Sequence, residues 1–280
     1  MLSSEIATVL SGRYVSLKML PLSFAEFHNG TNPEKPLFEN YTKYLESSSF
    51  PYILSLQGQP KEINEYLNGI YSTVILKDVI GRYKIADSMM LESIVSFIFH
   101  NIGSRLSTKK ISNTMSSSGR NIDTKTVEKY ISALMDSFII YQAKRFDIKG
   151  KQYLKTLEKY YVVDIGMRFM LLGRKNADVG HILENVIYLE LIRRGYRVFI
   201  GKFEEFEVDF IAEKFGEIIY LQVAASVRET LTLERELLSL QKIKDNYPKL
   251  LLTLDEDPDA DYDGIKRTNA LKWLMENKYV

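Results

Sequence analysis

The sequence predicts an α/β protein of more than one domain, and three observations carry that prediction. Three helical segments and then an alternating hairpin occupy the middle of the chain, the order of a winged helix–turn–helix. A helix, three strands, a second helix and a strand follow, the order of an α/β sandwich. Charge separates the parts: Leu76 to Tyr160 carries 15 Lys/Arg against 8 Asp/Glu, a net of +7, while the remainder carries a net of −6. With 280 residues there is chain enough for more than one core.

The elements follow from local patterning. "MLSSEIATVLSGRYVSLKMLPLSF" reads as a short helix, a strand at "RYVSLKM" and a turn at Pro21, and "NGTNPEKP" is a polar linker. From Leu37 to about Lys84 the apolar residues recur at helical spacing: Tyr41, Tyr44 and Leu45, then Ile63, Tyr66, Leu67, Ile70 and Val74, with a break at Pro51. "SMMLESIVSFIFHNIGSRL" gives a helix ending near Gly103. "STKKISNTMSSSG" gives a second, capped by Ser107 or Thr108 and closed by Gly119. "DTKTVEKYISALMDSF" gives a third, capped by Asp123 or Thr124, with Val127, Ile131, Leu134 and Met135 on its apolar face. A hairpin with a basic turn at Asp147–Lys151 completes this unit. Beyond it, a helix at Val179–Arg194, strands at 197–201, 207–212 and 218–223, a helix at 229–247, a strand at 250–254 and a helix at 269–278 are expected. The expected division is 1–83, 84–174 and 175–280.

Composition excludes several chemistries. The chain has no cysteine, so disulfides, thiolate metal sites and cysteine nucleophiles are out, and three histidines leave little for a histidine-rich metal centre. No G-x-x-x-x-G-K-[S/T] loop, nucleophile elbow or zinc motif occurs. No signal peptide or apolar run of spanning length is evident, which predicts a cytoplasmic protein without a membrane partner.

The basic middle points to a polyanion. Lys125 and Lys129 stand four apart on the third helix, Lys109 and Lys110 open the second, and Arg145, Lys149 and Lys151 flank the hairpin turn. Cations so placed would neutralise phosphates of double-stranded DNA with little preference for sequence, whereas a lysine-rich face on a protein-docking module would look the same. The second set of candidates lies at "FEVDFIAEKFGEIIYLQVAAS". Asp209 interrupts an apolar strand, with Val208 and Phe210 expected on the opposite face, and Gln222 nears the end of the next strand. Glu184 shares a helix face with Ile187, Tyr188 and Leu191, where a carboxylate is costly without a partner or cation. Converging, Glu184, Asp209 and Gln222 would offer oxygen donors to magnesium, with Glu184 and Asp209 as the ligands and phosphodiester cleavage as the chemistry. The lysine of such a site would stand at position 224, which is alanine; Lys202 or Lys214 would have to reach in, and without them the fold is an inert scaffold.

Taken together, "SSEIATVLSGRYVSLKMLPLSFAEF", "GIYSTVILKDVIGRYKI", "LLGRKNADVGHILENVIYLELIRRGYRVFIGK", "EVDFIAEKFGEIIYLQVAAS" and "LLSLQKIKDNYPKLLLTLD" resemble the prokaryotic AAA-type ATP-binding proteins with a conserved C-terminal domain of unknown function. The resemblance runs over essentially the whole chain. It implies a P-loop ATPase core, then a winged helix, then a restriction-endonuclease-like fold of the PD-(D/E)XK type. This chain would then be the part after the Walker motifs: residues 1–83 a remnant of the ATPase core and a helical linker, with Arg13 the arginine that faces nucleotide only in an intact core. ATP would be a cofactor of full-length relatives alone. An intact ATPase relative, or a second copy of this chain, is the further partner so implied.

Overall fold

The computed structural model of the protein describes residues 18–56, 59–174 and 178–276. Arg13 and most of "RYVSLKM" lie outside the described residues. The first helices are α1 (Phe24–Thr31) and α2 (Leu37–Ser47). Ser23 and Glu26 form a reciprocal capping box at the start of α1, satisfying two backbone N–H groups that the helix itself cannot. A 3₁₀ turn at Pro51–Leu56 leads to α3 (Pro60–Ile70), which continues through π-helical turns over Tyr71–Val79 and an α-helical turn at Ile80–Tyr83. The helical spacing up to Lys84 and its break at Pro51 are both present.

Next come α4 (Ser88–His100), β1 (Arg105–Leu106), α5 (Thr108–Ser117), α6 (Thr124–Asp136), β2 (Ile140–Asp147) and β3 (Gln152–Val162). Of the two candidate caps for each helix, Ser107 accepts from the Lys110 amide and Asp123 from the Thr126 amide. Gly119 closes α5 at φ +81°, a conformation that glycine adopts without a Cβ penalty. After α7 (Ile165–Leu172), the series is α8 (Val179–Arg193), β4 (Arg197–Phe203), β5 (Phe206–Lys214), β6 (Glu217–Ala224), α9 (Thr230–Gln241), β7 (Lys249–Thr253), β8 (Ala260–Tyr262), β9 (Ile265–Asn269) and α10 (Ala270–Met275). The helix expected to run to 247 ends at Gln241. The β8–β9 hairpin is absent from the sequence reading, because "DEDPDADYDG" shows acidic turn chemistry and no apolar alternation.

The nine strands of the described residues join one sheet in the order β1-β3-β2-β4-β5-β6-β7-β9-β8. The three strands of the middle segment pair antiparallel with β3 central, and β2 then runs parallel to β4 through Arg145↔Ile200 and Asp147↔Lys202. The expected boundary at 174/175 is therefore bridged by main-chain hydrogen bonds. Within the last segment, β4, β5 and β6 are antiparallel neighbours and β7 lies parallel to β6.

Two irregularities place functional side chains. Along β4–β5, Phe199 pairs with Ile211 but Gly201 pairs with Val208, so β5 carries one extra residue there. Such a bulge re-aims a side chain. Between β2 and β3 the register jumps from Ala143↔Lys159 to Arg145↔Leu154. On one face of the sheet, α8 is buried from Ile182 to Leu191, with Tyr188 stacked on Tyr161 at a centroid distance of 4.2 Å. On the other, α9 packs Leu237 and Leu240 with Val208, Ile211, Tyr220 and Ala224. No helix among the described residues is long and apolar enough to cross a membrane.

Candidate functional site: a lysine held by three carboxylates

The residues around Asp209 form a closed electrostatic cluster, and its cation comes from β3. Lys159 Nζ lies 2.9 Å from Glu184 Oε1, 3.1 Å from Glu207 Oε1 and 3.2 Å from Asp209 Oδ1. Tyr161, two residues along the same strand and so on the same face, donates its hydroxyl to Glu184 Oε1 at 2.6 Å. The Lys159 side chain is 5% exposed and that of Glu184 6%. Arg105 on β1 approaches Glu207 Oε2 at 3.5 Å, although that buried oxygen has no hydrogen-bond partner among the described residues. The α4–β1 loop covers Glu184: a Cβ on Gly103, whose φ is +69°, would stand 3.2 Å from Glu184 Oε2 and 3.0 Å from the His181 ring.

The bulge explains how Asp209 reaches this cluster. Val208 belongs to the core beneath α9, whereas Phe210 packs on the α8 side, 5.8 Å from Tyr161 and 6.0 Å from Tyr188. Asp209 turns to Lys159 on that same side. The sequence expectation that Asp209 faces away from Phe210 is thus corrected: the extra residue lets two consecutive side chains share a face. The recorded β5–β6 pairing runs from Lys214↔Glu217 to Phe210↔Leu221. Next to it, side chains take over from backbone: Val223 N donates to Asp209 Oδ2 at 3.0 Å and Asp209 N donates to Gln222 Oε1 at 3.2 Å.

Gln222 does not join the carboxylates. Its amide donates to Glu236 Oε2 on α9 at 2.7 Å, and Arg235 Nη2 donates to the other oxygen of Glu236 at 2.8 Å. Ala224 faces the same α9 core, so a lysine at 224 would start on the sheet face opposite Glu184. Lys202 stands opposite Glu207 in register and makes no ion pair with Glu184 or Asp209. Lys214 donates to the Arg194 carbonyl at 2.9 Å, at the other end of β5. Neither Lys202 nor Lys214 enters the cluster; Lys159, outside the sequence candidates, does.

Magnesium does not fit this arrangement. The ion demands octahedral oxygen ligation at about 2.0–2.1 Å, and the ammonium group already takes the space between the Glu184 and Asp209 oxygens. Among the described residues, no group of three or more His, Cys, Asp and Glu side chains is disposed to hold a metal ion. The cluster instead satisfies its charges internally. Burial works against the Lys159 charge, but Glu184, Asp209 and Glu207 outweigh it and hold its pKa well above the ordinary value. Burial pushes the Glu184 carboxyl up to about 7, aided by the Asp209 charge and opposed by Lys159 and the Tyr161 hydrogen bond. Burial and the Lys159 charge push the His181 imidazole down.

A pH dependence follows. A carboxyl with a raised folded pKa binds more protons folded than unfolded between the two values, so stability falls as pH rises from the ordinary range near 4.5 to about 7. At 1.36 kcal/mol per unit this amounts to about 3 kcal/mol. Glu184→Gln, which cannot ionise, is expected to lose that slope. Urea midpoints at pH 5 and pH 7.5 measure it; equal slopes in wild type and variant would show that Glu184 stays ionised throughout.

The basic candidates fall into two groups. Lys109 and Lys110 on α5, and Lys125 and Lys129 on α6, are all exposed. At the β2–β3 turn Lys151 is exposed, and Lys149 is exposed but paired with Glu204 at 2.7 Å. Arg145 is buried, 8% exposed, facing Ile200 across the β2–β4 pairing. It is withdrawn from the surface expected to meet phosphates.

By fold and site this is a mixed α/β protein on a continuous sheet, with one buried lysine–carboxylate cluster. Residues 38–178 match a domain of unknown function, DUF8612, and the chain belongs to that family. An uncharacterized protein of Haemophilus influenzae is 39% identical over 282 aligned residues, covering 99% of this chain and 68% of the relative. An uncharacterized protein of Methanocaldococcus jannaschii is 32% identical over 264 residues, covering 88% of this chain and 57% of the relative. No solved structure matches.

Proposed function

We propose that this chain binds duplex DNA through a winged-helix unit formed by residues 84–174, with the unit at 175–280 a nuclease-like scaffold that does not cleave. The observation that carries the reading is the order α4-β1-α5-α6-β2-β3 with the strands arranged β1-β3-β2, together with exposed lysines on α6. In a winged helix the equivalent of α6 enters the major groove while the hairpin touches the backbone. The nuclease-like reading draws its support from the series α8-β4-β5-β6-α9-β7, with β4 to β7 adjacent in that order and Glu184 and Asp209 at the cluster. On the inert reading, Lys159 neutralises those acids and ties the two units together. The extra length of both relatives leaves room for an ATPase core outside the matched part, and the resemblance suggests that ATP is used there. Arg13 would serve such a core.

Magnesium-dependent cleavage of phosphodiesters is the alternative that Glu184 and Asp209 raise, and the Lys159 ammonium between their oxygens weighs against it. Docking to an intact ATPase relative, or self-association, is the remaining use of the exposed surface. Anisotropy of a fluorescently labelled duplex, titrated with protein at 50 and 200 mM salt with and without magnesium, separates these readings. Binding that weakens steeply with salt is expected, since each neutralised phosphate releases counterions. No binding at low salt would end the duplex reading, and magnesium-dependent shortening of the duplex would replace the inert scaffold with an enzyme.

A further inference from the structure

Three aromatic rings gather on the sheet at the margin of the α9-side core. Phe146 and Tyr153 stand opposite each other in the β2–β3 pairing, their ring centroids 5.4 Å apart, and Phe199 on β4 lies 5.3 Å from Tyr153 and 6.3 Å from Phe146. Phe146 and Phe199 are half-buried against the α9-side core, whereas Tyr153 is 56% exposed. Further along the same face α9 packs over β5, β6, β7 and β9, and Phe146 and Phe199 continue the core beneath it, leaving Tyr153 as the exposed ring of the three. An exposed tyrosine backed by two phenylalanines is expensive to leave in water, because such a ring removes a large apolar area when covered.

The surroundings say what covers it. The segment Lys144–Lys151 carries four cationic residues and one aspartate. Arg145 is buried and Asp147 accepts from the Gly150 amide, while Lys144 and Lys151 are exposed without an ion pair among the described residues. A ring platform bordered by free ammonium groups is the combination that holds unpaired bases: rings stack on bases of any sequence and lysines follow the phosphates. A second protein copy would meet like charges here. The bases of an intact duplex present no free faces, so this surface is distinct in ligand from the α6 lysines.

We infer that Tyr153, with Phe146 and Phe199 behind it and the exposed Lys144 and Lys151 each two residues along the chain from the Phe146–Tyr153 pair, forms a stacking site for single-stranded nucleic acid. The inference does not depend on duplex binding by α6. The test is anisotropy of labelled oligothymidine, twenty nucleotides long, with wild type, Tyr153→Ala and Tyr153→Phe, each also titrated with duplex. Tyr153→Ala is expected to weaken oligothymidine binding roughly tenfold, the effect of losing one stacked base. Tyr153→Phe should bind as wild type does, since the ring and not the hydroxyl makes the contact. Equal affinity in all three proteins would overturn the site, as would a Phe variant as weak as the Ala variant. Sedimentation velocity supplies the other arm: a concentration-dependent dimer in wild type that Tyr153→Ala abolishes would assign the rings to a second copy instead. Loss of duplex binding alone would count against the α6 reading and leave this one standing, provided oligothymidine still discriminates Tyr153→Ala from wild type.

Discussion

Lys159→Ala is expected to lower the unfolding free energy by about 3–5 kcal/mol, the cost of leaving buried charges without their partner. Glu184, Glu207 and Asp209 share one ammonium, and removing it exposes each carboxylate to the others in a site where little water replaces it. For Glu184 the consequence is a pKa raised beyond its present value near 7, as the largest opposing influence on it is Lys159 itself. The variant should therefore lose most stability above neutral pH and recover part of it at pH 5, where protons take over from the ammonium. Lys159→Met keeps the apolar stem and should lose a similar amount, which separates charge from packing. Urea unfolding at pH 5 and 7.5 reads both effects; a loss below 1 kcal/mol in both variants would mean that water already shields the three acids.

The same cluster marks where the sequence was legible and where it was not. Glu184 was visible because a carboxylate at helical spacing with Ile187, Tyr188 and Leu191 breaks an apolar face. Asp209 was visible because it breaks an apolar strand. Lys159 breaks a pattern too, as Lys159 and Tyr161 alternate onto one face, and a lysine two residues from a buried tyrosine needs a partner. Its link to Glu184 and Asp209 is not legible locally, because Lys159 lies on the β2–β3 hairpin, before residue 175, and the two acids lie after it. Strand pairing across residue 174 could not be read from periodicity, which reports which face a residue takes and not which strand lies next to it. The bulge at Asp209 escaped for a related reason: strict alternation sends Phe210 to the wrong face, and only the register against β4 reveals the extra residue.

Caps and turns were more legible, since they depend on a few adjacent residues. Ser107, Asp123 and Gly119 act within their own turns, and each local pattern narrowed the choice to one or two positions. Exposure of Lys125 and Lys129 followed equally from the apolar stripe of Val127, Ile131 and Leu134 on the other side of α6. Arg145 shows the limit of that logic, because a strand residue in a basic segment was read as surface, and its burial is imposed by β4, a strand fifty residues away in the chain.

Reversing both charges on α6, Lys125→Glu with Lys129→Glu, tests the duplex reading most severely. Each lysine that contacts a phosphate contributes close to one unit to the dependence of log affinity on log salt. Losing two such contacts should flatten that slope by about two units, and placing carboxylates against phosphates should weaken binding by roughly 100-fold or more at 50 mM salt. Folding is not the target: both side chains are exposed, Asp123 still caps the helix and the Val127–Leu134 stripe is untouched, so stability should change by less than about 1 kcal/mol. Glu128 is a built-in control, since it lies between the two lysines in sequence and would repel a phosphate held there. Glu128→Lys should strengthen duplex binding and steepen the salt slope if α6 faces the backbone. A double charge reversal that leaves both affinity and slope unchanged would move the duplex away from α6. An unchanged affinity with oligothymidine in the same protein would at the same time show that its binding does not use Lys125 or Lys129.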